Sequence, residues 1–477
     1  MGYGSWAGPP FGGIRMDFSG GMLSSIYESR TMNFMETNGE ICNSNGDLLF
    51  YSNGIYIANA ENDTMVNGGG INSAPYTTQK DSFGLPIPQG NLIIPFPGDS
   101  NKYYLFHETC DDYGNTYCTL FLYCSIIDMS LDSGRGAVIQ KNIVLLNDSL
   151  VEGRLTACKH ANGRDWWLVT HQNNTNRYYK FLITPGGIQG PYTQDIGVIR
   201  DNWGQAVFSP DGTMYAYFAY LFANSTTSGS NVGDLDIFNF DRCTGDFSMK
   251  AHVALTDSSF AGGVAFSSNS NVLYVSSSKF VWQFDMTSTN IPATQSTIAM
   301  YDGFLADGFY TTFYLSQLAP DGKIYINTGE GTRYLHVINH PDSIGSGCDV
   351  CQHCIQLLAY NAWTIANHPN YFLGAESGSV CDSITGLTPA LSKVEGTSLH
   401  IFPNPVSNYE EITFAYPSTR EHSIIIIYNI EGNEVARYLL PQWSSVQHVT
   451  LPKLSSGVYL ARLISNRVSG NVKFFVE

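Results

Sequence analysis

"FSPDGTMYAYF" occupies residues 208–218, and its reading decides the fold. A Pro-Asp-Gly turn leads directly into a run of alternating apolar and aromatic residues. A tight turn needs positive φ, which Gly212 supplies, so the stretch predicts a hairpin and its second strand. The pattern recurs as "SNGDLLFYSNG" (44–54), "GDSNKYYLFHE" (98–108), "HANGRDWWLVTHQ" (160–172), "FSSNSNVLYVSS" (266–277) and "LAPDGKIYINTG" (318–329). With Gly46, Asn101, Gly163, Gly212, Ser270 and Gly322 as turn markers, the steps are 55, 62, 49, 58 and 52 residues.

Copies are followed by a further strand with its own turn, such as "TLFLYCSIIDMSLDSG" (119–134), "LDIFNFDRCTG" (235–245) and "YLHVINHPDS" (334–343). Repeats of this size built only of strands predict propeller blades. A parallel α/β fold would need amphipathic helices between the strands, and none is found. Six units run from about residue 36 to 345. "SWAGPPFGGIRMDFSGG" (5–21) resembles the second half of a unit, and "CIQLLAYNAWTIANHPNYFLG" (354–374) could supply the first half. A blade shared by the two ends would remove exposed edge strands. The expectation is an all-β chain with a β-propeller over residues 1–383, of seven blades, with six as the alternative.

Composition agrees with an all-β reading. The 477 residues include 29 Tyr, 27 Phe and 46 Gly, and only 14% are charged. The net charge of −17, without a Lys/Arg cluster, excludes nucleic acid as a partner. No run approaches the roughly 18 apolar residues of a membrane-spanning helix. The N-terminal stretch lacks the basic and apolar regions of a signal peptide. Export would therefore require a peptide that is absent from this chain.

The last part of the chain differs. Residues 398–477 hold six Lys/Arg, six Glu and no Asp, so the whole net charge lies before them. All ten cysteines fall at or before Cys381. Turn formers fill residues 384–397, which are read as a linker. "HIFPNPVSNYEEITF" (400–414) then interrupts a strand pattern with Pro-Asn-Pro, a turn signal, and the alternation resumes at once. A hairpin at 431–433 and a turn at 455–457 complete a small β-sandwich over 398–477.

Two resemblances follow from these stretches. Residues 1–383 resemble a propeller-like domain of large surface proteins of Bacteroidetes, often labelled gliding-motility-associated. The carriers are "GDLLFYSNGIYIANAENDTMVNGGGI" (46–71), "KHANGRDWWLVTHQ" (159–172) and "HPNYFLGAESGSVCDS" (368–383). Residues 398–477 resemble the type A C-terminal sorting domain of the type IX secretion system. Here the carriers are "FPNPVSN" (402–408), "IIIIYNIEGNEVAR" (424–437), "LPKLSSGVYLARL" (451–463) and "NVKFFVE" (471–477). The second resemblance implies a sorting motif at Pro403, Asn404, Pro405, Gly432, Gly457, Tyr459 and Lys473. It also implies the type IX machinery as partner, an extracellular or outer-surface location, and removal of the module at the surface in family members. An accessory carbohydrate-binding or immunoglobulin-like module is the alternative.

Candidate sites are few. "CDVCQHC" sets Cys348, Cys351 and Cys354 two residues apart around His353, and Cys110, Cys118 and Cys124 form a second group. A zinc or iron-sulfur site would need a fourth ligand. For an exported chain, disulfides among these residues and Cys381 are the expectation, with pairing left open. Trp166 and Trp167 could form a sugar-stacking platform or enter a blade core, and the repetition favours the core. "HETCDD" (107–112) could face a central channel. Sialidase, nucleophile-elbow and His-Glu-x-x-His signatures are absent, and no catalytic residue, metal ligand or cofactor is assigned. The function read from the sequence is a secreted or cell-surface propeller that binds glycan or a surface partner. A polysaccharide- or peptide-degrading propeller enzyme is the alternative, and an adhesive surface-layer component is a third reading.

Overall fold

The computed structural model describes residues 1–2, 8–19, 23–79, 83–111, 119–200, 203–220, 233–255, 262–382, 399–402, 404–406, 411–416, 423–440, 446–465 and 469–476. Regular structure is almost all antiparallel sheet, and α1 (Pro75–Gln79) is the one α-helix among the described residues. The chain divides into two compact units, one holding the sheets up to residue 382 and the other those from residue 399. The linker expected at 384–397 lies outside the described residues.

The first unit opens with a ribbon of β1 (Gly13–Asp17) and β2 (Ser24–Glu28). A three-stranded sheet follows, β3 (Gly39–Cys42), β4 (Leu48–Ser52) and β5 (Ile57–Asn59). The next sheet is β6 (Asn91–Pro95), β7 (Lys102–Glu108), β8 (Thr119–Asp128) and β9 (Ala137–Leu150). Then come β10 (Thr156–Lys159), β11 (Trp166–His171), β12 (Thr175–Thr184) and β13 (Gly187–Arg200). The fourth sheet is β14 (Gly204–Phe208), β15 (Met214–Tyr220), β16 (Gly233–Phe240) and β17 (Phe247–Leu255). The fifth is β18 (Gly263–Phe266), β19 (Val272–Ser276), β20 (Phe280–Asp285) and β21 (Ser296–Met300). A short hairpin, β22 (Leu305–Ala306) and β23 (Phe309–Tyr310), precedes the sixth: β24 (Phe313–Leu318), β25 (Ile324–Thr328), β26 (Thr332–Ile338) and β27 (Val350–Asn361).

Each of these six sheets is a meander, and each recurring turn joins its first strand to its second. The turn after β14 shows why the sequence closes there. Ser209 Oγ donates to Asp211 Oδ1 at 2.5 Å and accepts the Met214 N–H at 2.9 Å, while Gly212 takes φ 74°. In the fifth sheet, Ser267 plays the part of Ser209, and Ser270 occupies the left-handed position at φ 64°.

The second strands β11, β19 and β25 are buried at every residue. Their unbroken apolar runs follow from packing on both faces by neighbouring sheets. Phe50 and Ile57 of the first sheet pack with Ile93 and Leu105 of the second. Leu92 and Phe106 meet Leu168 and Phe181, and Tyr178 meets Tyr215 and Phe238. Phe218 and Leu235 meet Leu273 and Phe284, and Tyr274 meets Ile324 and Ile338.

Among the described residues, the expected sheet shared by residues 5–21 and 354–374 is not formed. β27 is the fourth strand of the sixth sheet, pairing Ile355 with Leu335, while β1 pairs with β2. β2 follows β1 within a few residues, so the local hairpin closes a far shorter loop than pairing with β27 would. The ribbon instead packs Ile14 against Leu335, Leu357 and Ala359 of the sixth sheet. The chain after β27 then crosses the first strands of other sheets. Thr364 Oγ1 donates to the Glu36 carbonyl at 2.8 Å. Asn367 Nδ2 donates to the Asn91 and Leu155 carbonyls, each at 2.9 Å, and Tyr371 Oη donates to the Ile93 carbonyl at 2.8 Å.

The second unit is a sandwich of two sheets. One contains β28 (His400–Phe402), β29 (Glu411–Ala415) and β32 (Val446–Thr450). The other contains β31 (Glu434–Leu440), β30 (Ser423–Tyr428), β33 (Gly457–Ile464) and β34 (Ser469–Val476), in that spatial order. Ile401, Ile412 and Phe414 from the first sheet share one core with Ile425, Ile427, Ala461, Leu463 and Phe474 from the second. β33 alternates buried and exposed residues from Tyr459 onward, as a strand with one solvated face must.

Candidate functional site

Three glutamates converge deep in the first unit. Glu36 precedes β3, Glu108 ends β7 and Glu152 precedes β10, and all three are buried. Glu108 Oε1 accepts the Thr170 hydroxyl at 3.1 Å, whereas Glu108 Oε2 and Glu36 Oε2 have no hydrogen-bond partner. Burial pushes the Glu36 and Glu108 carboxyls up to about 8, eased by Tyr314 at Glu36 and by Thr170 and Arg154 at Glu108. Burial raises Glu152 well above the carboxylate range, and the charges of Glu108 and Glu36 raise it further. The Trp203 side chain acts in the opposite direction. Arg154 lies over the Tyr217 ring, with Cζ 3.4 Å from its centroid, and donates to the Tyr217 hydroxyl. Burial thus disfavours the charged form of all three carboxyls. Their enclosure keeps a polymer away from them.

"HETCDD" supplies one member of this group, Glu108. His107 is buried too, with Nδ1 2.5 Å from Asn72 Oδ1 and Nε2 2.9 Å from Ser125 Oγ, and burial lowers its pKa to about 3. Sequence reasoning missed Glu36, Glu152 and Arg154. The available signal was a charged residue just ahead of an apolar first strand, in "ETNGEIC" (36–42) and "EGRLTAC" (152–158).

Trp166 and Trp167 are core residues, 1% and 4% exposed. Lys159 Nζ sits 4.5 Å from the Trp166 ring centroid, and burial lowers its pKa to about 8. Arg164 and Asp165 form a two-point ion pair at 2.7 and 3.1 Å, which braces the turn.

Two adjoining surface hollows, of about 640 and 800 Å³, share Cys243, Thr244 and Asp246. Tyr192, 44% exposed, offers a ring to the first, and Lys180 sits inside it. Lys180 Nζ donates to the Gly245 carbonyl at 2.6 Å and to Asp246 Oδ1 and Gln194 Oε1, each at 3.0 Å. Residues 376–380 wall the second hollow, and a Cys243–Cys381 disulfide ties this segment down.

The cysteines divide by place. Cys351 pairs with Cys354, and Cys381 pairs with Cys243, a residue outside the two groups singled out in the sequence. Cys124 and Cys348 were expected among the disulfides, but both are thiols. Cys124 points into the core between the second and third sheets, where burial raises its pKa. Cys348 is buried against Tyr274 and Ile338, apart from the strand that carries Cys351 and Cys354. Cys110 is buried, and Cys118 lies outside the described residues. Among the described residues, no three His, Cys, Asp or Glu side chains form a metal-binding group.

In the second unit, Asn404 is the organising residue of the Pro-Asn-Pro stretch. Its Oδ1 accepts the Phe475 N–H at 2.9 Å, and its Nδ2 donates to the Lys473 carbonyl at 3.3 Å. Val406 N–H then reaches the Phe475 carbonyl at 2.9 Å, which begins a parallel bridge to Val476. Pro405 is exposed, and Pro403 lies outside the described residues. Gly432 turns the β30–β31 hairpin at φ 82°, Gly457 opens β33, and Tyr459 Oη donates to the Ser455 carbonyl at 2.8 Å.

Residues 400–477 match the family described as the secretion system C-terminal sorting domain. A tail of this kind belongs to the type IX route and marks a secreted protein, located at the cell surface or outside the cell. No helix among the described residues is long and apolar enough to cross a membrane. No curated protein matches the chain. Among solved structures, the chain is similar to PorZ, an essential surface component of the type IX secretion system of Porphyromonas gingivalis, at 13% identity and TM-score 0.26. That match covers 78% of this chain, which spans only 58% of PorZ. The periplasmic gluconolactonase PpgL of Pseudomonas aeruginosa is similar at 10% identity and TM-score 0.39, over 73% of this chain and 92% of its own. A protein of unknown function from Desulfotomaculum acetoxidans is similar at 10% identity and TM-score 0.36, over 87% of this chain and all of its own.

Proposed function

We propose that this protein is cargo of the type IX secretion machinery, delivered by its C-terminal sandwich, and that its first unit is a propeller that binds glycan or a surface partner. The observation that carries the reading is the sorting domain over residues 400–477, folded as a sandwich with its own core. The six meanders, each packed on the next, support a propeller. The β1–β2 ribbon takes a seventh position, through Ile14 against the sixth sheet and Arg30, just after β2, over Phe34 and Tyr51. The binding surface is the pair of hollows around Asp246, where the Tyr192 ring stands beside Lys180, Asp246 and Thr244. An aromatic face with convergent polar groups suits a sugar.

Fractionation of the native host tests the export half. Protein lacking residues 399–477 should accumulate in the periplasm, and an unrelated cargo fused to residues 384–477 should reach the surface. Surface delivery of the truncated protein would sink the sorting role and leave an accessory module. A glycan array tests the binding half: Tyr192→Ala should remove any signal given by the intact protein, and retained signal would refute the hollow as the site.

A further inference from the structure

We propose that the Cys351–Cys354 disulfide is a thiol–disulfide exchange site for cysteine-containing polypeptides with exposed apolar side chains. The two disulfides of this chain differ in what they constrain. Cys243 and Cys381 are 138 residues apart, whereas Cys351 and Cys354 are 3 apart within β27. A bridge across so short a span removes much less freedom from the unfolded chain than the longer one does.

Access and chemistry point to exchange. Cys354 is exposed, while Cys351 is partly buried against the core of the sixth sheet, so an incoming thiolate meets Cys354 Sγ first. His353 stands between them in the left-handed region, at φ 43°. Its Nε2 is 2.9 Å from Asp302 Oδ2, and its ring stacks on Phe304 at 4.2 Å between centroids. These contacts hold the residue between the two cysteines against the segment that leads into the β22–β23 hairpin.

The surface next to the bridge suits an unfolded chain. Met300, Leu305, Phe309 and Tyr310 are exposed by 64%, 49%, 49% and 54%. Leu305, Phe309 and Tyr310 lie on the β22–β23 hairpin. Gln352 holds this region to the disulfide, donating from Nε2 to the Met300 carbonyl at 2.9 Å and accepting the Asp302 N–H at 3.3 Å.

The step balances without a further reactant. A substrate thiolate attacks Cys354 Sγ and forms a mixed disulfide. The Cys351–Cys354 bond breaks, and its electron pair leaves on Cys351 Sγ, which takes a proton from water. A second substrate thiolate attacks the substrate sulfur of the mixed disulfide and expels Cys354. The substrate dithiol is oxidised to a disulfide, and Cys351 and Cys354 are reduced to thiols.

The test uses the full chain and a reduced synthetic peptide with two cysteines flanked by Leu and Phe. One peptide disulfide should form per chain, with Cys351 and Cys354 becoming open to alkylation while Cys243–Cys381 stays closed. Cys351→Ser, which leaves no disulfide in β27, should abolish oxidation of the peptide. Cys243–Cys381 opening first, or a Ser/Gly-flanked peptide reacting as fast as the apolar one, would overturn the proposal.

Discussion

Gln89 and Ala206, 117 residues apart, are joined by a two-point hydrogen bond: Gln89 Nε2 donates to the Ala206 carbonyl at 2.9 Å, and Gln89 Oε1 accepts the Ala206 N–H at 2.9 Å. Gln205 repeats the device, accepting the N–H groups of Val264 and Ser316 at 3.0 Å each and donating to the Ser316 carbonyl at 2.7 Å. These amides stitch together first strands of sheets that are distant in sequence, where backbone groups would otherwise lie buried without partners.

Gln89→Ala and Gln205→Ala should therefore each destabilise the first unit by about 2–6 kcal/mol, because each orphans at least two buried backbone groups at about 1–3 kcal/mol apiece. Urea unfolding of the full chain, followed by tryptophan fluorescence, measures this. Changes below about 0.5 kcal/mol, the size of ordinary surface substitutions, would mean that water replaces the amide.

The buried glutamates predict a pH dependence. Glu36 and Glu108 titrate near 8 in the folded chain, against an ordinary 4.5. The native state thus holds these protons more tightly than the unfolded chain does. Its stability falls as pH rises above 4.5, by about 1.4 kcal/mol per pH unit for each group, until the carboxyl ionises near 8. Glutamine copies the protonated form and does not titrate. Glu108→Gln should be nearly neutral at pH 4.5 and stabilising by a few kcal/mol at pH 8. Equal effects at both pH values, in paired denaturation curves, would show that Glu108 is not held protonated.

The disulfides should contribute unequally to stability. By loop-closure entropy, Cys243–Cys381 is worth about 5 kcal/mol and Cys351–Cys354 about 2 kcal/mol. Replacing Cys243 and Cys381 by Ser should lower the melting temperature clearly more than replacing Cys351 and Cys354. The reverse order, read by calorimetry, would assign the short bridge a structural role.

Turn chemistry and strand alternation were legible because both are local. Ser209, Asp211 and Gly212 write the same hairpin wherever they occur, and five similar stretches repeated it. Partner choice was less legible. β27 reads as the start of a new unit, and nothing local says that Leu335 rather than β1 will take Ile355. The buried glutamates were less legible still. Glu36 and Glu152 look like ordinary surface acids until strands far apart in sequence bring them beside Glu108. Cys243 was overlooked because its partner stands 138 residues away.

Asn404 gives the last prediction. Pro-Asn-Pro reads in sequence as a strand breaker, yet its middle residue does the opposite for β34, holding the Phe475 N–H and the Lys473 carbonyl at the edge of the final strand. Both bonds are exposed, so losing them should cost only about 0.5–1.5 kcal/mol locally and should leave the sandwich core of Phe414, Ile425 and Phe474 intact. Asn404→Ala should accordingly speed amide exchange at Phe475 about two- to tenfold, with no change in the peptide covering residues 423–428. Asn404→Asp keeps the acceptor and loses the donor, so Phe475 should stay protected. Hydrogen exchange read by mass spectrometry on the full chain separates these outcomes. Unchanged exchange at Phe475 in the alanine variant would mean that Val406, through its own bond to the Phe475 carbonyl, holds the last strand alone.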